Sequence, residues 1–168
     1  MSASRSIFAL TLAALTVAGC DSPGAYPSRE GRDAIVAEVT GVMQDLTRAM
    51  NAHDAEEVLA FYGRTEDFTY LGCTEFILGG SAFAGTVAPF YAAHPEVVFE
   101  QEIVGVQVAG PDAAVVTQRG ASSEAGALFW TRLVLRGEDG RWRIAMEHES
   151  WPGCEEPRGP HPFTTAEN

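Results

Sequence analysis

Between Leu128 and Trp151 the chain reads as two long antiparallel strands joined by a turn, and this hairpin limits what the residues around it can fold into. Phe129, Thr131, Leu133 and Leu135 alternate along the first arm, and Trp142, Ile144, Met146 and His148 along the second, with the two-residue period of half-buried strands. Gly137-Glu138-Asp139-Gly140 supplies the turn chemistry between them. A loop of these four residues pairs Arg136 with Arg141 and then sets Leu135 opposite Trp142, Leu133 opposite Ile144, Thr131 opposite Met146 and Phe129 opposite His148. One face is then apolar and ends in a histidine, as a core or a pocket would. The other carries Trp130, Arg132 and Val134 across from Glu147, Ala145 and Arg143.

Upstream, Ile35, Val36, Val39, Val42, Met43, Leu46 and Met50 recur at three- and four-residue spacings and mark one stripe of a long amphipathic helix that ends near Asn51. Asp54, with Glu57 three residues on, is a cap for a short second helix through Val58, Leu59, Phe61 and Tyr62, closed by Gly63. Residues 66–72 alternate, with Phe68 and Tyr70 on one side, and residues 74–78 give another short strand. Ser81 caps a third helix carrying Phe83, Val87, Phe90 and Tyr91, in which Pro89 removes a hydrogen bond and predicts a kink or two short helices. Residues 97–108 and 113–120 are strands around the turn Gly110-Pro111-Asp112. The order helix, helix, strand, strand, helix, then four strands is an α+β pattern with three helices packed on one face of a curved sheet.

The chain opens on Arg5, an apolar run over 7–17, and the small residues Ala18 and Gly19 before Cys20. That is the pattern of a secretory segment, and the run is too short for a permanent span, which needs about 20 residues. Val17-Ala18-Gly19-Cys20 resembles the bacterial lipoprotein signal, which implies a signal peptide over 1–19 and lipidation of Cys20. An ordinary signal peptide cut nearby, with Cys20 incidental, is the alternative. Residues 20–31 read as a flexible tether, 32–154 as one domain, and the proline-rich 155–168 as a disordered tail. The expected location is therefore the bacterial cell envelope, with the domain facing the periplasm or the exterior. With 11 basic residues, all arginine, against 23 acidic ones, the formal charge is −12. Such a surface lacks the basic patches that nucleic acid or anionic lipid requires, so contact with membrane is expected only through the Cys20 lipid.

The helix end Asn51-Ala52-His53-Asp54 leading into Val58-Leu59-Ala60-Phe61-Tyr62, the strand Asp67-Phe68-Thr69-Tyr70, the Gly79-Gly80 entry to the third helix, and the ending Asp139-Gly140-Arg141-Trp142-Arg143-Ile144 with His148-x-Ser150 together resemble the nuclear transport factor 2-like superfamily. Within it they are similar to the SnoaL-like domains, which include ketosteroid isomerase relatives. The resemblance covers residues 35–150 and implies a cone-shaped, cystatin-like mixed sheet around a mostly apolar cavity, often in a homodimer that uses the outer sheet face. It does not fix an activity. Aligned on the isomerase pattern, Leu46 stands where the oxyanion-holding tyrosine would be and Tyr70 where the proton-abstracting aspartate would be. Steroid isomerase chemistry thus lacks both its donor and its base.

In the four-residue-loop register His148 faces the cavity, where burial would favour a neutral imidazole able to act as a base. It could equally hydrogen-bond a neighbour such as Tyr70 or Ser150. Phe68, Tyr70, Phe90, Phe129, Thr131, Met146, His148 and Ser150 are the expected ligand-binding residues, although aromatics at these spacings also serve as plain core. On the other face Trp130 and Arg132 suggest a dimer contact. His53, His94, His148 and His161 show no close ligand pairing, so neither a metal nor another cofactor is implied. The family's sheet places its first and last long strands side by side and parallel, which implies a disulfide between Cys73 and Cys154; two free thiols is the alternative. The leading expectation is a domain that binds a small apolar molecule without a defined catalytic set. The alternatives are a lyase or isomerase using His148, with Tyr70 or Ser150 polarising the substrate, and a protein-interaction module working through the Trp130 face.

Overall fold

The structure, a computed structural model, describes residues 26–73 and 75–154. Residues 1–19, Cys20 and the tail over 155–168 lie outside the described residues. The first helix, α1 (Arg29–Asn51), begins inside the stretch assigned to the tether because the Ser28 side chain accepts from the Gly31 N–H and caps it there. Its buried stripe is Ile35, Val39, Met43, Leu46, Ala49 and Met50. Asn51 then holds the chain that crosses beneath it, since its side-chain amide donates to the Phe99 carbonyl at 2.9 Å and accepts from the Phe99 N–H at 2.7 Å. His53, at φ +54, donates from Nε2 to the Val97 carbonyl at 2.7 Å and stacks on Tyr91. Asp54 caps α2 (Ala55–Ala60) through the Glu57 N–H.

Two short strands follow, β1 (Thr69–Leu71) and β2 (Phe76–Leu78), then α3 (Gly80–Ala93). The cap of α3 is Gly79, at φ +87, and not Ser81, whose side chain makes no capping bond. Gly80 packs against Gly63 and Arg64 so closely that a Cβ would collide with their backbone, which is why the chain needs glycine at this entry. The helix also runs on through Pro89 as one element. Pro89 and Gly85, one turn earlier, are both exposed, so the carbonyl that loses its partner faces water.

The long strands are β3 (Phe99–Gly110), β4 (Ala113–Ser122), β5 (Gly126–Arg136) and β6 (Trp142–Ser150). They form a mixed six-stranded sheet in the order β2-β1-β6-β5-β4-β3, with β1 parallel to β6 and every other pair antiparallel. The helices cover the concave face, and the core between them is apolar and aromatic.

The hairpin register differs from the expected one in two places. Arg136 pairs with Trp142, so the loop holds five residues, Gly137 to Arg141, because Asp139 accepts from the Arg141 N–H at 3.2 Å and from the Arg143 guanidinium at 2.6 Å. Further along, Val134 pairs with Ile144 but Leu133 with Met146, which leaves Ala145 as the extra residue of a β-bulge. The first shift turns Trp130, Arg132 and Val134 to the concave side; the second carries Glu147 and Glu149 there with them.

Candidate aromatic and acidic pocket

Between α3 and the concave sheet face lies a cavity of about 280 Å³. Phe83, Val87, Phe90 and Tyr91 line it from α3, Met50 and Val58 from the first two helices, and Phe99 from β3. Its rings fall in two groups: Tyr62 and Phe83 have centroids 4.8 Å apart and Tyr70 and Phe83 5.4 Å, and Phe90 and Tyr91 are 5.4 Å apart. The polar groups are concentrated on the sheet side, where Glu147 and Glu149 from β6, Tyr70 from β1, Tyr62 and Glu75 reach it.

Glu147 is the anchor of a buried network. Its Oε2 accepts from the Tyr62 hydroxyl at 2.9 Å and from Arg132 Nε at 2.6 Å, and Arg132 in turn donates to Gln118. Gln118 donates to Gln101 at 3.2 Å, and Gln101 accepts from Thr47 at 2.9 Å, so the chain of bonds runs from the pocket back to α1. Arg132 is fully buried, and its Nη2 has no partner among the described residues. This network is a tightly held support, since one charge balances the other and each is hydrogen-bonded.

Glu149 is placed differently. Its Oε2 accepts from the Trp130 indole N–H at 2.7 Å, and among the described residues no guanidinium is bonded to it. Burial, then the neighbouring charge of Glu147, pushes its carboxyl up to about 7. The Tyr70 hydroxyl is pushed well above its ordinary value by burial and then by the charges of Glu149 and Glu147, so it is neutral and able to donate. Tyr62 is raised in the same way, by burial first and Glu147 second. A carboxyl that titrates near neutrality beside a neutral phenol can hold, accept or return a proton. Among the described residues, no three His, Cys, Asp or Glu side chains are grouped as metal ligands.

Of the expected ligand-binding residues, the structure brings Tyr70 and Phe90 to the cavity. Phe68 lies behind the wall in the core, in contact with the rings of Tyr62 and Phe83. Phe129, Thr131, Met146, His148 and Ser150 are on the opposite, convex face: Thr131 pairs with His148, Phe129 with Ser150, and both His148 and Phe129 are exposed. The five-residue loop and the bulge account for all of these. The same two shifts bury Trp130 and Arg132, 1% and 0% exposed, so neither belongs to an outer contact face. The ionisable lining residues missed are Glu147, Glu149, Tyr62, Glu75 and Tyr91. Two of them carried a signal, for Trp130 and Arg132 find an acceptor in Glu149 and Glu147 on consecutive inward rungs only in the observed register. Cys73 and Cys154 are joined in a disulfide, with Cα atoms 5.3 Å apart, where β1 and β6 end side by side.

A cone-shaped mixed sheet closed by three helices over such a pocket is the architecture of the nuclear transport factor 2-like superfamily. The chain belongs to the SnoaL-like domain family, whose model matches residues 39–153. Solved structures share the fold at low identity. An NTF-2 like protein of unknown function from Shewanella oneidensis is 20% identical with a TM-score of 0.59, over 68% of this chain and 98% of that one. A ketosteroid isomerase-like protein from Erwinia carotovora atroseptica is 20% identical with a TM-score of 0.54, over 68% and 94%. A cystatin-like fold protein from Burkholderia xenovorans is 21% identical with a TM-score of 0.57, over 71% and 93%. No curated protein matches the chain.

Proposed function

We propose that this domain binds a small, mostly apolar molecule in the cavity between α3 and the concave sheet face. The observation that carries the reading is the cavity itself, about 280 Å³ in volume and walled by aromatic rings, with its polar groups gathered at one end. That volume is at the lower end of small-molecule sites, roughly 300–1,000 Å³, and suits a one- or two-ring ligand. An unfilled cone also weighs against the pure interaction module, which needs the space occupied by the protein's own side chains. Filling the cavity by Val87→Trp should abolish retention of any co-purified molecule, read by native mass spectrometry. Equal retention by both proteins would sink the reading.

A second reading, proton-transfer chemistry of the lyase or isomerase type, is favoured by one observation: Glu149 titrates near neutrality in the same cavity as the neutral Tyr70 hydroxyl. Glu149 would be the base and Tyr70 the donor that polarises the substrate. His148 is on the exposed face and does not line the cavity. Wild-type protein that exchanges a carbon-bound proton of its ligand with deuterated solvent, and Glu149→Gln protein that does not, would establish it.

The reading includes export and anchoring through a lipid on Cys20, supported by the apolar run and small residues before it. Fatty-acid labelling lost in Cys20→Ser tests that part. A homodimer is retained as a proposal through the convex face, where Phe129 and Leu135 are half-exposed. Its check is the molecular mass in solution.

A further inference from the structure

Given small-molecule binding at this cavity, we propose that the ligand carries a positively charged nitrogen on a compact apolar or aromatic body, seated between the aromatic wall and the carboxylates of Glu149 and Glu75. Three independent features of the site meet in this assignment. Among the described residues, the ionisable side chains lining the cavity are Glu75, Glu147, Glu149 and the tyrosines, and no arginine, lysine or histidine lines it. The nearby cation, Arg132, is bonded to Glu147 and Gln118 behind the wall and offsets the charge of Glu149 only in part, while Glu149 and Glu75 have no ion-pair partner among the described residues. The rings of Tyr62, Tyr70, Phe83 and Phe90 supply π-faces, which carry partial negative charge and attract a desolvated ammonium.

The alternatives fit this lining less well. An anionic ligand would be desolvated among carboxylates with no counter-charge. A wholly apolar one would cover the second oxygen of Glu149, which accepts from nothing among the described residues, and leave it without water or partner. An ammonium satisfies both the acceptor and the charge. The formal charge of −12 on the chain adds a field that concentrates cations near the surface.

Among the described residues, the groups facing the Glu149 carboxyl are Glu147 on its own strand, Trp130 and Arg132 from β5, Tyr70 from β1, Tyr62 after α2, and Glu75 from the segment before β2. Arg132 is the single cation among them. A bound ammonium therefore favours the ionised form of Glu149, and affinity should rise as pH passes through about 7.

The test titrates the full chain with benzylamine, benzyl alcohol and benzoate, three single-ring probes that differ in charge, and follows the cavity resonances by NMR. Benzylamine should bind about tenfold more tightly than benzyl alcohol, with benzoate weakest, as one desolvated cation–π and ion-pair contact implies. In the Glu75→Gln/Glu149→Gln protein the preference should shrink to about twofold while benzyl alcohol binds as before. The substitutions keep size and leave an amide oxygen for Trp130, and Glu147 is left alone because Arg132 depends on it. Benzyl alcohol or benzoate binding as tightly as benzylamine, or a preference that survives the double substitution, overturns the cationic ligand but leaves the binding cavity standing. Failure of all three probes to perturb the cavity overturns both.

Discussion

Arg132 and Glu147 face each other across β5 and β6, Nε to Oε2 at 2.6 Å, with both side chains inside the cone and out of reach of water. The pair fixes the floor of the pocket, since the same carboxylate oxygen that receives the guanidinium receives the Tyr62 hydroxyl.

Removing one partner leaves the other charge buried and alone. Glu147→Gln should lower the unfolding free energy by about 3–5 kcal/mol in urea titrations, and Arg132→Met by a similar amount. The double replacement Arg132→Met/Glu147→Leu should recover most of that loss, because no bare charge remains.

Glu149 makes the domain lose stability as pH rises from acid to neutral. Its carboxyl is raised in the folded state from 4.5 to about 7, so the neutral form is the one the fold prefers. The contribution is full below pH 4.5 and is lost as pH rises through 7, on the order of 2–3 kcal/mol. Thermal melts from pH 4.5 to 8 should show this decline in the wild type and a flatter profile in Glu149→Gln. Asp139 acts with the opposite sign at lower pH: its hydrogen bonds with Arg143 and the Arg141 N–H hold its pKa down, so its contribution disappears as pH falls.

His148 and Glu149 are neighbours in sequence on opposite sides of the sheet. Exchanging His148 for Gln should leave ligand affinity within about twofold and stability within about 0.5 kcal/mol, as expected of an exposed position. Glu149→Gln should weaken affinity for cationic probes by about threefold, the larger part of the loss expected of the double substitution. Calorimetric titration of the two variants side by side distinguishes them.

The disulfide joins residues 81 positions apart. Cys73→Ser/Cys154→Ser should cost about 2–5 kcal/mol in chemical denaturation. Intact-mass analysis of the wild type should show a gain of about two daltons on reduction, one hydrogen per sulfur.

The sequence made the helices and the strand order readable because each left a redundant signal. The α1 stripe repeats over about four turns, Asp54 precedes its helix with the right spacing, and the family resemblance placed β1 beside β6. The two faces of the hairpin were not readable in the same way. Phe129, Leu133 and Leu135 on one side and Trp130 and Val134 on the other are about equally apolar, so hydrophobicity could not choose between them. The choice was made by the Asp139 side chain, which lengthens the loop, and by the unpaired Ala145. Tyr70 and Phe90 were found because β1 and α3 keep their simple periods, whereas Glu147 and Glu149 lie beyond the bulge.

Ala145 is consequently a spare length of chain within a central strand. Deleting it would close the ladder while leaving Glu147 and Glu149 facing inward, so a shortened β6 should still fold and still form the pocket. Keeping Ala145 but straightening the strand would instead turn its far end over, bringing His148 in and sending both carboxylates out. One residue of slack thus separates an acidic lining from an imidazole one, a short step by which descendants of such a chain exchange one pocket chemistry for another without changing their fold.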